Sequence, residues 1–222
     1  MRPLTLFLWL LFLASPSKAK DFDLMGFGKA TSKIAGESIT INQWQVGSYF
    51  EAYKGLSVGP SLKVHYSDEK IDLFDHYRAA ELSLSGVYKH SFGRWAPYLR
   101  ASASLASYFQ ADGKTKGSYE GGRQNFDYRL KGETKGSEWG FGLIAAVSEK
   151  LSLFGEYAFS SKRLFVKRAS AQNNKEDPNK NYTFDERAGL TFSESGRFSV
   201  EARKRNRDFV AKTASFGIVY QL

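Results

Sequence analysis

The stretch K-T-A-S-F-G-I-V-Y-Q-L, Lys212 to Leu222, decides the fold. Ala214, Phe216, Ile218, Tyr220 and Leu222 fall on one side of an extended chain, and Thr213, Ser215, Gly217, Val219 and Gln221 on the other. Strict alternation over ten residues marks a strand with one apolar face. The same period recurs upstream. In Gln43 to Lys54, Trp44, Val46, Phe50 and Ala52 oppose Gln43, Gln45, Tyr49 and Glu51. Leu56 to Tyr66, Ala79 to Ser91, Trp95 to Phe109, Glu138 to Ser148 and Leu151 to Ser160 repeat it. Phe184 to Ser193, Phe198 to Arg205 and, with a poorer pattern, Phe22 to Lys29 bring the expected count to about ten strands.

The connections carry as much information as the strands. Lys54-Gly55, Phe92 to Arg94, Glu149-Lys150 and Glu194 to Gly196 are tight. Between them stand long stretches: Ala30 to Thr40, Ser67 to Arg78, Gln110 to Ser137 and Ser161 to Asn181. Short turns at one end and long loops at the other are the signature of a barrel that crosses a bilayer. A soluble sandwich has no reason to sort its loops by length.

Ser215, Gly217, Tyr220 and Leu222 stand at the spacing of the C-terminal assembly motif of bacterial outer-membrane β-barrels, with Leu222 where that family usually ends in Phe or Trp. The mature chain resembles small barrels of the OmpA-transmembrane/OmpX-like kind. That resemblance implies a closed antiparallel up-and-down transmembrane β-barrel of about ten strands, with eight as the alternative. It also implies insertion by the barrel-assembly machinery, contact with outer-membrane lipids and lipopolysaccharide, and a monomer. Met1 to Ala19 reads as a signal peptide: Arg2 is the positive start, Leu4 to Ala14 the apolar core, and Ser17-Lys18-Ala19 the cleavage site. Residues 20–222 are then the barrel, and the expected location is the outer membrane of a diderm bacterium.

Composition agrees. Hydrophobic residues make up 42% of the chain, with 18 Phe, 12 Tyr and 4 Trp, yet mean hydropathy is −0.42. Many aromatics with modest hydropathy suit strands that are half oily and half polar. There is no cysteine, hence no disulfide framework and no thiolate metal site. Cleavage after Ala19 removes Arg2 and Lys18 and takes the formal charge from +9 to +7. The excess lies in loops without a recognition helix or stacking motif, so nucleic acid is not an expected partner.

Alternation alone does not say which face looks outward, since a lipocalin-type barrel has the same period in the opposite sense. The polar face decides it. It carries Glu51, Lys63, Glu81, Lys89, Arg100, Glu138, Glu156, Asp185, Arg187, Glu201 and Arg203, a poor lining for a dry ligand pocket. The apolar face ends in Tyr66, Tyr88, Phe109, Trp139, Phe159 and Tyr220, placed as interfacial girdles are. The charges are therefore expected to pair across the lumen, because an unpaired interior charge costs several kcal/mol. Counting back through Glu149 sets Glu156 opposite Gly142, with room to reach a cation.

Chemistry is sparse. His65 and Ser67 share a strand face, and Asp68, Glu69 or Asp72 could supply an acid, the combination used by outer-membrane lipid A deacylases; here the alternation turns His65 inward. Asp75-His76 invites comparison with ten-stranded outer-membrane proteases, which need further paired carboxylates. No metal-ligand spacing, phosphate cradle or cofactor motif is present. The stretch Ser161 to Asn181, with Lys162, Arg163, Lys167 and Arg168, reads as a basic external loop suited to lipopolysaccharide phosphates or an acidic surface partner. The expected role is structural or surface-interactive. A narrow pore is the second reading and a lipid A-modifying enzyme the third.

Overall fold

A computed structural model of the chain describes residues 22–34, 37–70, 75–119, 122–173, 181–185 and 206–222. The strands are β1 (Phe22–Ile34), β2 (Glu37–Tyr53), β3 (Leu56–Ser67), β4 (His76–Lys89), β5 (Trp95–Tyr119), β6 (Gly122–Ala146), β7 (Leu151–Asn173), β8 (Asn181–Asp185) and β9 (Asn206–Gln221). Each of β1 to β6 pairs antiparallel with the next. The ring closes through β9, which pairs with β7 on one side and β1 on the other. Every wall strand thus has two neighbours, so no backbone edge faces the membrane.

The ring has eight strands, not ten. β7 and β9 pair directly from Leu151↔Tyr220 to Phe165↔Asn206, so the wall is complete without a further hairpin. Of the two extra strands expected, Phe184 and Asp185 lie in β8, which pairs with the outer end of β7. The rest, including Arg187, Glu201 and Arg203, falls outside the described residues, as does the signal peptide. Eight strands make a ring just wide enough for side chains to fill.

Three expected long loops prove to be strand. β1 and β2 pair out to Ile34↔Glu37, β5 and β6 out to Tyr119↔Gly122, and β7 runs on to Asn173. In these stretches apolar side chains such as Ala30, Ile39, Leu130, Leu164 and Val166 are buried inward, while Thr31, Lys33, Arg129 and Arg163 are exposed, so outward-apolar alternation stops marking the strand while backbone pairing continues. The outcome is a sheet of β5, β6, β7 and β8 standing above the ring. At its base Asp112 accepts hydrogen bonds from Arg129 (2.5 Å) and Gln110 (2.8 Å). Burial pulls the Asp112 carboxyl upward, but these bonds outweigh it and hold it below the ordinary carboxylate range.

Sidedness follows the pattern of the terminal strand. Phe216, Ile218 and Tyr220 are exposed on the outside, while Ser215 and Val219 are buried within. Trp44, Trp95 and Trp139 also point outward, 52%, 55% and 56% exposed. One girdle residue differs. A bulge on β5, where Leu82 faces Ala106 but Ser83 faces Ser104, inserts Leu105 as an extra residue. Two-residue periodicity then changes phase, so Tyr108 is exposed and Phe109, expected outside, is buried inside.

Candidate functional site: a charged belt sealed between two apolar layers

Along β5 the inward residues run Tyr98, Arg100, Ser102 and, past the bulge, Phe109. Along β7 they run Phe154, Glu156, Ala158, Ser160, Lys162 and Leu164. Each strand therefore begins apolar near the tight turns, becomes charged in the middle and ends apolar. Around the ring this builds three layers. The lower one packs Phe22, Leu24, Tyr49, Val87, Tyr98, Ile144, Phe154 and Val219. The upper one gathers Tyr77, Phe109, Phe209, Leu130, Leu164 and their neighbours, with Tyr77 stacked on Phe109 and Phe209 at 6.3 and 6.2 Å between ring centroids.

Between them lies the belt. Arg100 is its hub: Nε donates to Glu156 Oε2 (2.8 Å), Nη2 to Glu156 Oε1 (2.5 Å) and Glu138 Oε1 (2.6 Å), and Nη1 to Ser102 (2.7 Å). Lys63 donates to the same Glu138 oxygen. Lys162 reaches Glu81 at 2.6 Å and stands 4.0 Å from the far oxygen of Glu138. Tyr98 caps Glu156 at 3.0 Å, and Ser83 and Ser104 donate to Glu81 at 2.8 and 2.9 Å. Among the described residues three cations thus meet three carboxylates, all buried, so that this set is neutral as a unit. Isolated charges in such an interior would be prohibitive; pairing with hydrogen bonds on most oxygens makes them tolerable.

Geometry explains who takes part. Lys63 sits opposite Glu81 on the neighbouring strand, yet both reach across the lumen instead, to Glu138 and Lys162. The register sets Glu156 opposite Gly142 and Ser215. The facing wall is small: β1 presents Gly26, Gly28 and Ala30 inward, leaving the lumen to the long side chains of β3 to β7.

Of the expected lumen residues, Lys63, Glu81, Arg100, Glu138 and Glu156 are brought together. Glu51 is not; its carboxylate accepts a hydrogen bond from Gly55 N at the β2–β3 turn, 3.1 Å away. Asp185 is placed in β8 opposite Arg168, above the barrel, and not in the lumen. The expected basic loop divides. Lys162 is a belt residue, because the inward parity of Ser152 to Ser160 simply continues to it. Arg163 points out and pairs with Asp208 at 3.2 Å, and Lys167 is exposed. Tyr98 is a belt donor that sequence reasoning misses, although its parity with Arg100 carries the signal.

His65 and Ser67 share the inward face but do not assemble a catalytic pair. Ser67 Oγ donates to the Thr40 carbonyl (2.6 Å), and Asp68 pairs with His76 (3.0 Å). His65 Nδ1 is buried with no partner among the described residues. No cluster of potential metal ligands occurs among those residues either.

A closed ring of eight antiparallel strands, with apolar side chains exposed outside and polar and charged ones buried inside, is a β-barrel of the small outer-membrane type. Solved structures share that fold. Neisserial surface protein A superposes with a TM-score of 0.54 at 10% identity, over 91% of this chain and 97% of that one. A major outer membrane protein from Thermus thermophilus gives 0.50 at 14% identity, over 92% and 100%. At such identities the likeness is one of fold. No protein-family model and no curated protein sequence matches the chain.

Proposed function

We propose that this protein is an integral outer-membrane barrel with a sealed lumen, whose role is to hold a basic β-sheet above the membrane as an interaction surface. The observation that carries this reading is the extension of β5, β6 and β7 well past the ring. β4 stops pairing with β5 at His76↔Asp112, and among the described residues Gly113 to Tyr119 has no strand on that side. A free strand edge is a ready site for an added strand. The extensions carry Lys114, Lys116, Arg123, Arg129, Lys131, Lys167 and Arg168 against Asp112, Asp127 and Asp185, with Glu120 in the sequence between β5 and β6. That balance favours an acidic partner through long-range attraction. The two apolar layers argue against a pore, since each fills the lumen on its own side of the belt.

Heparin serves as an acidic probe. Joining Asp112 to Arg129 through Asn-Gly removes the hairpin tip and leaves the ring intact. Adding Lys167→Gln and Arg168→Gln brings the loss to three net positive charges, and that detergent-solubilised variant is expected to elute from heparin at clearly lower salt than wild type. Equal elution would remove the sheet from the account, and a single-channel current through wild type in a planar bilayer would remove the sealed lumen.

A further inference from the structure

We infer a binding site for a phosphate-bearing lipid of the outer leaflet on the outside of the barrel, at the seam where the last strand meets the first. β1 presents Phe27, Lys29, Thr31 and Lys33 outward in succession, and β9 sets Lys212 directly opposite Thr31. Lys212 is therefore the diagonal neighbour of both Lys29 and Lys33. Like charges so placed on one sheet face repel. All three lysines are exposed, and none has a carboxylate partner among the described residues. Thr31 stands within the triangle as an exposed residue.

What lies beneath defines the ligand. Phe27 is flanked in register by Trp44 on β2 and Phe216 on β9, with ring centroids 5.1 and 6.2 Å away, a row of three aromatics facing outward. Lysines just above such a row send their ammonium groups to the headgroup level while their stems stay against hydrocarbon. An anion bound there cancels the mutual repulsion, and acyl chains joined to it lie along the aromatic row. Since the row lies among acyl chains, the anion nearest the lysines above it is one joined to such chains, so the fit is to an amphiphile: a phosphorylated glycolipid such as lipid A. Arg163 and Lys135 elsewhere on the wall already face Asp208 and Glu133, at 3.2 and 3.5 Å, and do not compete as sites.

The inference rests on the membrane embedding in the proposed function and not on the surface sheet; removing the hairpin tip therefore leaves lipid retention unchanged. Native mass spectrometry of the mature barrel in detergent, titrated with diphosphoryl lipid A, tests it. The variant carrying Lys29→Gln, Lys33→Gln and Lys212→Gln is expected to bind about tenfold more weakly or worse, as loss of three interfacial cations implies. Replacing the same three by Arg keeps binding, and Lys135→Gln with Arg163→Gln leaves it unchanged. Dephosphorylated lipid A is not retained. Equal retention by the triple Gln variant, equal loss in the Lys135 and Arg163 pair, or equal binding of the dephosphorylated lipid would each overturn the site. A heat-dependent electrophoretic shift reports folding of each variant, and Lys212→Gln alone decides the question if the triple variant lacks it.

Discussion

Arg100→Leu is expected to destabilise the folded barrel by about 3–5 kcal/mol, the cost of breaking a buried ion pair from one side. The guanidinium makes four hydrogen bonds, three of them to Glu138 and Glu156. Without it Glu138 keeps Lys63, but among the described residues Glu156 is left with the Tyr98 hydroxyl, a buried carboxylate without a cation. The effect belongs to the imbalance more than to the lost bonds. Leucine at both 100 and 156 restores neutrality and should recover much of the loss, so that the two substitutions are far from additive. Urea unfolding in detergent micelles, followed by the electrophoretic shift, measures all three. Arg163→Leu is the comparison, since its pair with Asp208 is exposed and worth less than about 1 kcal/mol. If Arg100→Leu and Arg163→Leu cost the same, the belt is not what holds the lumen.

Gly217→Val should be the second severe lesion, and it strikes closure. Gly217 lies opposite Gly26 on β1 and Phe154 on β7. A Cβ there would run into the Met25 carbonyl oxygen and come within 2.5 Å of Gly26 Cα and 2.7 Å of the Phe154 ring. Two of those obstacles are backbone, so the strain falls on the β1–β9 pairing that completes the ring. Overpacking of this kind costs about 3 kcal/mol, and the folded band should be faint or absent after refolding. Gly155, outward on β7 with nothing within 4 Å of a built Cβ, is the control. Gly155→Ala should be nearly neutral. A normal folded band for Gly217→Val would mean that β9 does not close the ring in this register.

Much of this arrangement is legible in the sequence because a strand between lipid and a packed lumen must alternate. Lys63, Glu81, Arg100, Glu138 and Glu156 stand at inward parity in segments with clean alternation. Reading fails where a second rule competes with period two. The Leu105 bulge shifts the phase of β5, and nothing local in Ala101 to Phe109 announces it. Lys162 reads as loop because a charge looks like the end of a strand, although inward parity runs on through it. The count of ten has the reverse cause: alternation near Phe184 and Phe198 looks like wall, but neighbours in the ring are chosen by hydrogen-bond register across the barrel, which is nonlocal. The lysine triangle is likewise nonlocal, since Lys212 meets Lys29 and Lys33 only once the last strand has found the first.

The oily face meets hydrocarbon while the ionisable groups are enclosed. Trp44, Trp95 and Trp139 all lie on the outside, and the fourth tryptophan of the chain, Trp9, is in the expected signal peptide. Mature protein reconstituted in phospholipid with brominated acyl chains should show strong quenching of Trp44 and Trp139 fluorescence in single-tryptophan variants, with little effect of aqueous acrylamide. Fluorescence untouched by the brominated lipid and fully open to acrylamide would contradict it.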